Sequence, residues 1–110
     1  MNPDISLKII DRDGVLHEIQ APTDMAMNLM EVIRSFELAE EGTIGICGGM
    51  AMCASCQCYV KSNHKLPEKG IDEDMMLAEA FHIQDNSRLG CQIQMTLEMD
   101  GLEVELAPED

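Results

Sequence analysis

Four cysteines have the residue type and the spacing of metal ligands. Cys47, Cys53 and Cys56 lie in one short segment in a C-x5-C-x2-C pattern, and Cys91 follows much further along the chain. A [2Fe-2S] cluster takes two thiolates on each iron, so these four side chains could enclose one. Such a cluster accepts and returns a single electron, and the pattern therefore indicates electron transfer.

The residues between the first three cysteines are small: Gly48, Gly49, Ala51, Ala54 and Ser55. Glycine adopts positive φ values and lets backbone N-H groups come close to anionic sulfur atoms. Hydrogen bonds to those sulfur atoms also tune the reduction potential. The composition of this segment therefore suits a loop that wraps an anionic cluster.

With these residues, the whole chain resembles the [2Fe-2S] ferredoxins of the adrenodoxin type, which serve monooxygenases or iron-sulfur cluster assembly. Plant-type ferredoxins place four residues between their first two cysteines, whereas five stand between them here. The resemblance runs from the first predicted strand through residues 87–93 to a turn at residues 100–102. It implies that the cluster ligands are Cys47, Cys53, Cys56 and Cys91.

Other uses of cysteine fit the pattern less well. Structural zinc sites usually have two short C-x2-4-C pairs, and only Cys53 and Cys56 form one here. A Rieske centre replaces two cysteines with histidines, but His17, His64 and His82 all lie outside any cysteine pair. Disulfides need an oxidising compartment, and the polar opening of the chain leads into no apolar signal segment. A cluster in a reducing compartment is therefore the preferred interpretation.

Two residues near the ligands are interpreted as structural. Cys58 lies in residues 57–60, which are predicted to form a strand leaving the loop, so we expect a small buried apolar side chain there. It could act as a ligand only if Cys56 were lost. Arg88, in the segment that leads to Cys91, is predicted to pair with a carboxylate and so hold the strand of the fourth ligand.

Charge and length limit the function further. The formal net charge of -14 on 110 residues repels nucleic acids and anionic membranes and favours basic surfaces on partner proteins. No run approaches the roughly twenty apolar residues of a membrane span. We therefore expect one domain over residues 1–110, a monomer that binds neither nucleic acid nor membrane. The expected location is the bacterial cytoplasm, or the mitochondrial matrix if a transit peptide has been removed.

The first half of the chain predicts a hairpin and a helix. Residues 5–9 and 15–19 are predicted strands joined by a turn at residues 11–14. Thr23 or Asp24 is expected to cap the helix that follows. Its predicted buried face consists of Leu29, Val32, Ile33 and Phe36.

The second half predicts the loop, a shorter helix and two strands. The cluster loop is expected at about residues 41–56, the helix at 72–81 and the strands at 91–97 and 102–106. The helix is predicted to turn Leu77, Ala80 and Phe81 inward. Pattern alone gives an α+β fold. The resemblance implies a β-grasp, with a mixed sheet packed on one main helix and the cluster loop at one end.

The second predicted helix opens with Asp72, Glu73 and Asp74, followed by Met75. Acidic residues there favour the helix dipole by a few tenths to about 1 kcal/mol, which is a sufficient structural reason for them. In the family that the chain resembles, however, an acidic patch on this helix docks partners. The resemblance therefore implies that these four residues form a docking surface. Met75 and Ala78 occupy family positions that are commonly acidic, so an apolar contact opposite Met75 is expected.

The resulting prediction is a one-electron carrier and not an enzyme. As the resemblance implies, it would take electrons from an FAD-containing ferredoxin reductase. The acceptor would be a cytochrome P450 or related oxygenase, or the proteins of iron-sulfur assembly. The alternative is a redox-sensing or zinc-stabilised interaction module whose acidic face binds a regulator.

Overall fold

A computed structural model describes residues 4–39, 57–64, 66, 68–78, 80 and 82–108. Its strands are β1 Ile5–Ile10, β2 Leu16–Ala21, β3 Gln57–Val60, β4 Ser87–Leu89 and β5 Leu102–Leu106. Its α-helices are α1 Leu29–Ser35 and α2 Ile71–Ala78, and short 3-10 helices cover Gly90–Gln92 and Leu97–Met99. The strands form one sheet in the order β2-β1-β5-β3-β4.

The sheet is mixed, as predicted. Strand β1 pairs with β2 in antiparallel and with β5 in parallel orientation, whereas β3 is antiparallel to both β5 and β4. The sheet and the helices agree with the predicted α+β, β-grasp class. Strand β5, predicted at residues 102–106, lies in the centre of this sheet.

The predicted hairpin is confirmed. Strands β1 and β2 pair from Ile5 with Ala21 to Ile10 with Leu16. Asp11 closes the turn because its Oδ1 atom accepts hydrogen bonds from the backbone N-H groups of Asp13, at 2.9 Å, and Val15, at 3.0 Å.

Helix α1 begins later than predicted. Its N-cap is Asn28 and not Thr23 or Asp24. The Asn28 side chain accepts from Glu31 N at 2.9 Å, and the Glu31 side chain accepts from Asn28 N at 3.1 Å, which forms a capping box. Extended backbone at Asn28, which bridges to Gln94, delays the helix start.

The predicted buried face of α1 is confirmed except for its last residue. Leu29, Val32 and Ile33 are buried in the cluster that includes β1 and β5. Phe36 was expected to join them, but it is the C-cap of the helix and its side chain is 45% exposed. The helix ends one turn too early to hold Phe36 against the sheet.

The predicted strand at residues 91–97 is wrong. Strand β4 ends at Leu89, and the chain continues through a 3-10 turn. Cys91, Ile93 and Met95 alternate in burial because this segment runs beside the start of α1. There, Ile93 O accepts from Leu29 N at 2.8 Å and Met95 N donates to Met27 O at 2.9 Å.

The second helix, predicted at residues 72–81, is present but ends three residues earlier than predicted. It covers Ile71–Ala78, and Leu77 is buried as expected. Ala80 is half-buried beyond the end of the helix. Phe81, the third residue predicted to face inward, lies outside the described residues. Among the helices that the structure describes, none is long and apolar enough to cross a bilayer.

Candidate metal centre

Cys91 is the predicted ligand that the structure describes, and Cys47, Cys53 and Cys56 lie outside the described residues. Cys91 stands in the 3-10 turn directly after β4 and is 3% exposed. Its sulfur atom accepts a hydrogen bond at 3.3 Å from Nε2 of Gln92. The fourth predicted ligand is thus buried, with a polar donor beside its sulfur atom.

The sheet register fits a centre whose ligands come from two distant segments. Gln57, which follows Cys56 in the sequence, pairs with Leu89 in the antiparallel β3–β4 ladder. Leu89 in turn precedes Cys91 by two residues. The chain therefore enters β3 beside the segment that carries Cys91. A set of four cysteine sulfurs is the donor chemistry that a [2Fe-2S] cluster requires.

Cys58 has the surroundings expected of a structural cysteine. It is fully buried in β3, between Arg88 of β4 and Leu106 of β5 in the sheet register. Burial raises the pKa of its thiol to about 12; the charge of Arg88 opposes this rise, while those of Glu73 and Cys91 add to it. Its place in the middle of the sheet, paired on both sides, is that of a core residue.

Arg88 forms the ion pair that the sequence predicted, and its partner is Glu73. Arg88 Nε donates to Glu73 Oε2 at 2.7 Å, and Nη2 donates to Oε1 at 3.2 Å. The backbone N-H of Leu89 donates to the same Oε2 atom at 2.9 Å. Both charged residues are buried. Glu73 therefore ties helix α2 to the strand that leads into Cys91.

This contact changes the role expected for Glu73. A docking residue needs an exposed carboxylate, but Glu73 is only 2% exposed because it lies one helical turn from Leu77 on the buried face of α2. Asp72, Asp74 and Met75 are exposed, as a docking surface requires. Whether these three residues bind a partner stays a prediction.

Two residues near this site were assigned no role from the sequence. Ile71 is 79% exposed and precedes Met75 by four residues, so the two lie on neighbouring turns of one helix face. This four-residue spacing of two apolar residues could have indicated the exposed apolar surface from the sequence. Gln92 carries an amide donor directly after the predicted ligand Cys91, but only the structure shows that the amide reaches the Cys91 sulfur atom.

Two of the three histidines have side-chain partners elsewhere in the fold. Nδ1 of His64 lies 2.8 Å from Ser62 Oγ, and its Nε2 lies 2.7 Å from the carbonyl oxygen of Asp100. Nε2 of His17 lies 2.7 Å from Asp11 Oδ2. These contacts give both histidines structural roles.

Comparison with known sequences identifies close relatives, although no family model matches the chain. The chain is 35% identical over 108 residues to a 2Fe-2S ferredoxin of Rickettsia felis, covering 96% of this chain and 92% of that protein. It is 38% identical over 104 residues to mitochondrial ferredoxin-2 of Danio rerio. That match covers 93% of this chain but 51% of the relative, so the chain spans about half the length of the fish protein.

Solved structures of ferredoxins also resemble this chain in fold. A ferredoxin from Rhodopseudomonas palustris HaA2 has a TM-score of 0.82 at 30% identity, covering 93% of this chain and 95% of that one. Putidaredoxin in its covalent complex with putidaredoxin reductase has a TM-score of 0.78 at 33% identity, covering 92% of this chain and 96% of that one. The likeness therefore includes nearly the whole chain in both cases.

Proposed function

The chain belongs to the adrenodoxin-type [2Fe-2S] ferredoxins, and we propose that it carries single electrons from an FAD-containing ferredoxin reductase to a redox acceptor. As a member of this family it is an electron-transfer protein with a [2Fe-2S] cluster, and not an enzyme. Its relatives are bacterial and mitochondrial. We propose the bacterial cytoplasm, or the mitochondrial matrix, as its location, and a monomer as its working form.

The proposed ligands are Cys47, Cys53, Cys56 and Cys91. When bound, the cluster supplies one site for a reversibly added electron. The burial of Cys91 supports its role, because exclusion of water protects iron-sulfur bonds. The pairing of Gln57 with Leu89 supports the joining of the loop cysteines and Cys91 in one site.

The reductase is the partner with the best support. Putidaredoxin, which this chain resembles over nearly its whole length, has been solved in a covalent complex with putidaredoxin reductase. The proposed acceptor is a cytochrome P450 or related oxygenase, or alternatively the iron-sulfur assembly proteins. The similarity to ferredoxins over almost the whole chain favours electron transfer over the redox-sensing or zinc-stabilised module.

We place partner docking on the exposed side of α2. Asp72 and Asp74 supply negative charge, and Ile71 and Met75 supply apolar surface; Met75 is 59% exposed. A basic partner surface with an apolar contact at its centre would complement this arrangement. Glu73 contributes indirectly, because its bonds to Arg88 and Leu89 hold the helix against β4.

The purified protein tests the proposal directly. We expect a brown protein with about two irons and two labile sulfides per chain. Reduction with dithionite should give a half-spin resonance at low temperature, since one electron added to two coupled ferric ions leaves one unpaired spin. An NADPH- or NADH-driven ferredoxin reductase should then reduce it at a rate that rises with reductase concentration. A colourless protein with a single zinc would contradict the proposal and support the interaction module.

A further inference from the structure

The side chain of Gln92 contacts the sulfur atom through which Cys91 would bind iron. Its Nε2 atom donates to Cys91 Sγ at 3.3 Å, while Gln92 is half-buried and Cys91 almost wholly buried. We propose that this amide raises the reduction potential of the cluster by stabilising the added negative charge on the Cys91 side. The inference rests on the proposed role of Cys91 as a ligand.

The sign of the effect follows from charge. Reduction adds one electron, supplied by the reductase, and neither forms nor breaks a covalent bond. The amide keeps its proton throughout. Negative charge on the ligand sulfur atoms increases in the reduced form, so an N-H donor binds that form more strongly than the oxidised form. A donor at Cys91 therefore shifts the potential toward positive values.

The backbone around Gln92 holds the amide in place. The turn is closed by a hydrogen bond of 3.2 Å from Ile93 N to Gly90 O, and Ile93 O accepts from Leu29 N of helix α1 at 2.8 Å. A short turn anchored on both sides restricts the directions that the adjacent side chain can take. The donor is thus largely positioned before the electron arrives, which makes its stabilisation more effective.

The cation that the sequence places nearest to Cys91 is engaged in an ion pair. The cation closest in sequence is Arg88, and its guanidinium group is paired with the buried carboxylate of Glu73. The chain as a whole carries a net charge of -14, which disfavours a further electron. The amide dipole of Gln92 would therefore favour reduction of the cluster, whereas the negative charge of the whole chain disfavours it.

Two substitutions at Gln92 test the proposal, with Gln94 as the matched control. Gln94 is exposed and lies on the same segment. In a redox titration followed by the visible spectrum, Gln92→Leu should shift the midpoint to more negative potential. Gln92→Glu should shift it further, because an anionic oxygen replaces the donor. Gln94→Leu should have no measurable effect, and Gln94→Glu should report the smaller effect of a distant charge.

A vibrational measurement separates tuning from a general change of structure. Loss of a hydrogen bond strengthens the iron-sulfur bond, so resonance Raman spectra of Gln92→Leu should show a higher iron-cysteine stretching frequency. Equal potentials and frequencies in Gln92→Leu and the wild type, with intact clusters, would overturn the proposal. Loss of the cluster from both Gln92 variants would also overturn it, by showing a structural role. Absence of iron from the wild-type protein would instead overturn the proposed function itself.

Discussion

Cys58 follows the proposed ligand Cys56 by two residues, and its own surroundings are those of a core residue. The side chain of Cys58 points into the core between neighbouring strands, where it is fully buried and its thiol stays neutral. A small apolar group at this place contributes by packing. The burial of Cys58 was predictable, because residues 57–60 have the pattern of a strand.

Substitution of Cys58 should therefore leave the cluster in place. We expect Cys58→Ala to keep the visible spectrum and to lower stability modestly through a small cavity. Cys58→Ser should also keep the cluster, but it should cost about 1–3 kcal/mol if its buried hydroxyl lacks a partner. Denaturant unfolding of the loaded protein, followed by the visible spectrum, measures both effects.

The four cysteines that we propose as ligands provide the control for that experiment. Separate serine variants of Cys47, Cys53, Cys56 and Cys91 should each weaken or abolish the native cluster spectrum. A Cys58→Ser variant without a cluster, beside a Cys56→Ser variant with an unchanged one, would show that the assignment of the third ligand is wrong.

The elements around the site were predictable to different degrees. The β1–β2 hairpin and β5 followed from alternating apolar residues beside turn residues, and both signals are local. The strand predicted at residues 91–97 failed because the alternation of Cys91, Ile93 and Met95 arises from contact with α1 and not from sheet pairing. The charge pattern of α2 gave no sign that Glu73 would be buried, since its partner Arg88 comes from a different element.

Removal of one partner from the ion pair between Glu73 and Arg88 should strongly destabilise the protein. Glu73→Ala removes the carboxylate and leaves Arg88 buried without compensation, and such changes cost about 3–5 kcal/mol. Asp72→Ala is the matched control, because it removes an exposed acid from the same helix turn and should cost about 1 kcal/mol at most, the value of its interaction with the helix dipole. Denaturant midpoints give both values.

A double variant tests whether the cost comes from the isolated charge. Replacing Glu73 and Arg88 together with leucine and methionine should restore part of the stability lost by Glu73→Ala, because no unpaired charge remains buried. Equal stability of Glu73→Ala and Asp72→Ala would contradict the role assigned to the ion pair.

The turn between β1 and β2 gives this element a defined response to acid. A hydrogen bond with His17, followed by those from the backbone of Val15 and Asp13, holds the pKa of Asp11 below its usual value of 3.8. A lowered carboxyl pKa means that this contribution to stability is complete above about pH 4 and is lost as the pH falls through the folded-state pKa.

An NMR titration of the carboxyl groups should therefore give Asp11 a midpoint below 3.8. His17→Gln should raise that midpoint, because it removes the largest cause of the shift. An Asp11 midpoint at or above 3.8, unchanged by His17→Gln, would show that the turn lacks these bonds in solution.

The charge of the whole molecule sets how it meets its partners. A net charge of -14 gives a long-range attraction to basic surfaces that is felt before any contact forms. The local arrangement of charged and apolar side chains then decides which face of the molecule binds a partner. On α2, exposed acids lie beside exposed apolar residues. The negative charge could therefore guide a basic partner toward this helix, and the apolar residues could then hold the partner in contact.

Neutralising acids on α2 should slow association with the reductase more than neutralising acids elsewhere. We expect Asp72→Asn with Asp74→Asn to lower the rate of reductase-driven reduction several-fold at low salt and to leave the visible spectrum unchanged. The matched control is Asp13→Asn with Glu18→Gln, which removes the same charge from exposed positions of the β1–β2 hairpin. The control should lower the rate only by the smaller amount that follows from reducing the net negative charge of the whole molecule.

A salt series separates the charged and apolar parts of the docking surface. The difference between the α2 variant and the hairpin control should shrink as salt rises to about 0.5 M, because the screening length then falls to a few ångströms. Met75→Asp adds an acid but removes an exposed apolar contact, so it should slow the reaction at high salt, where steering no longer compensates. If rates are indifferent to salt and to all three variants, the docking face lies away from α2, and the next variants to test would be those of Met50 and Met52 in the predicted cluster loop.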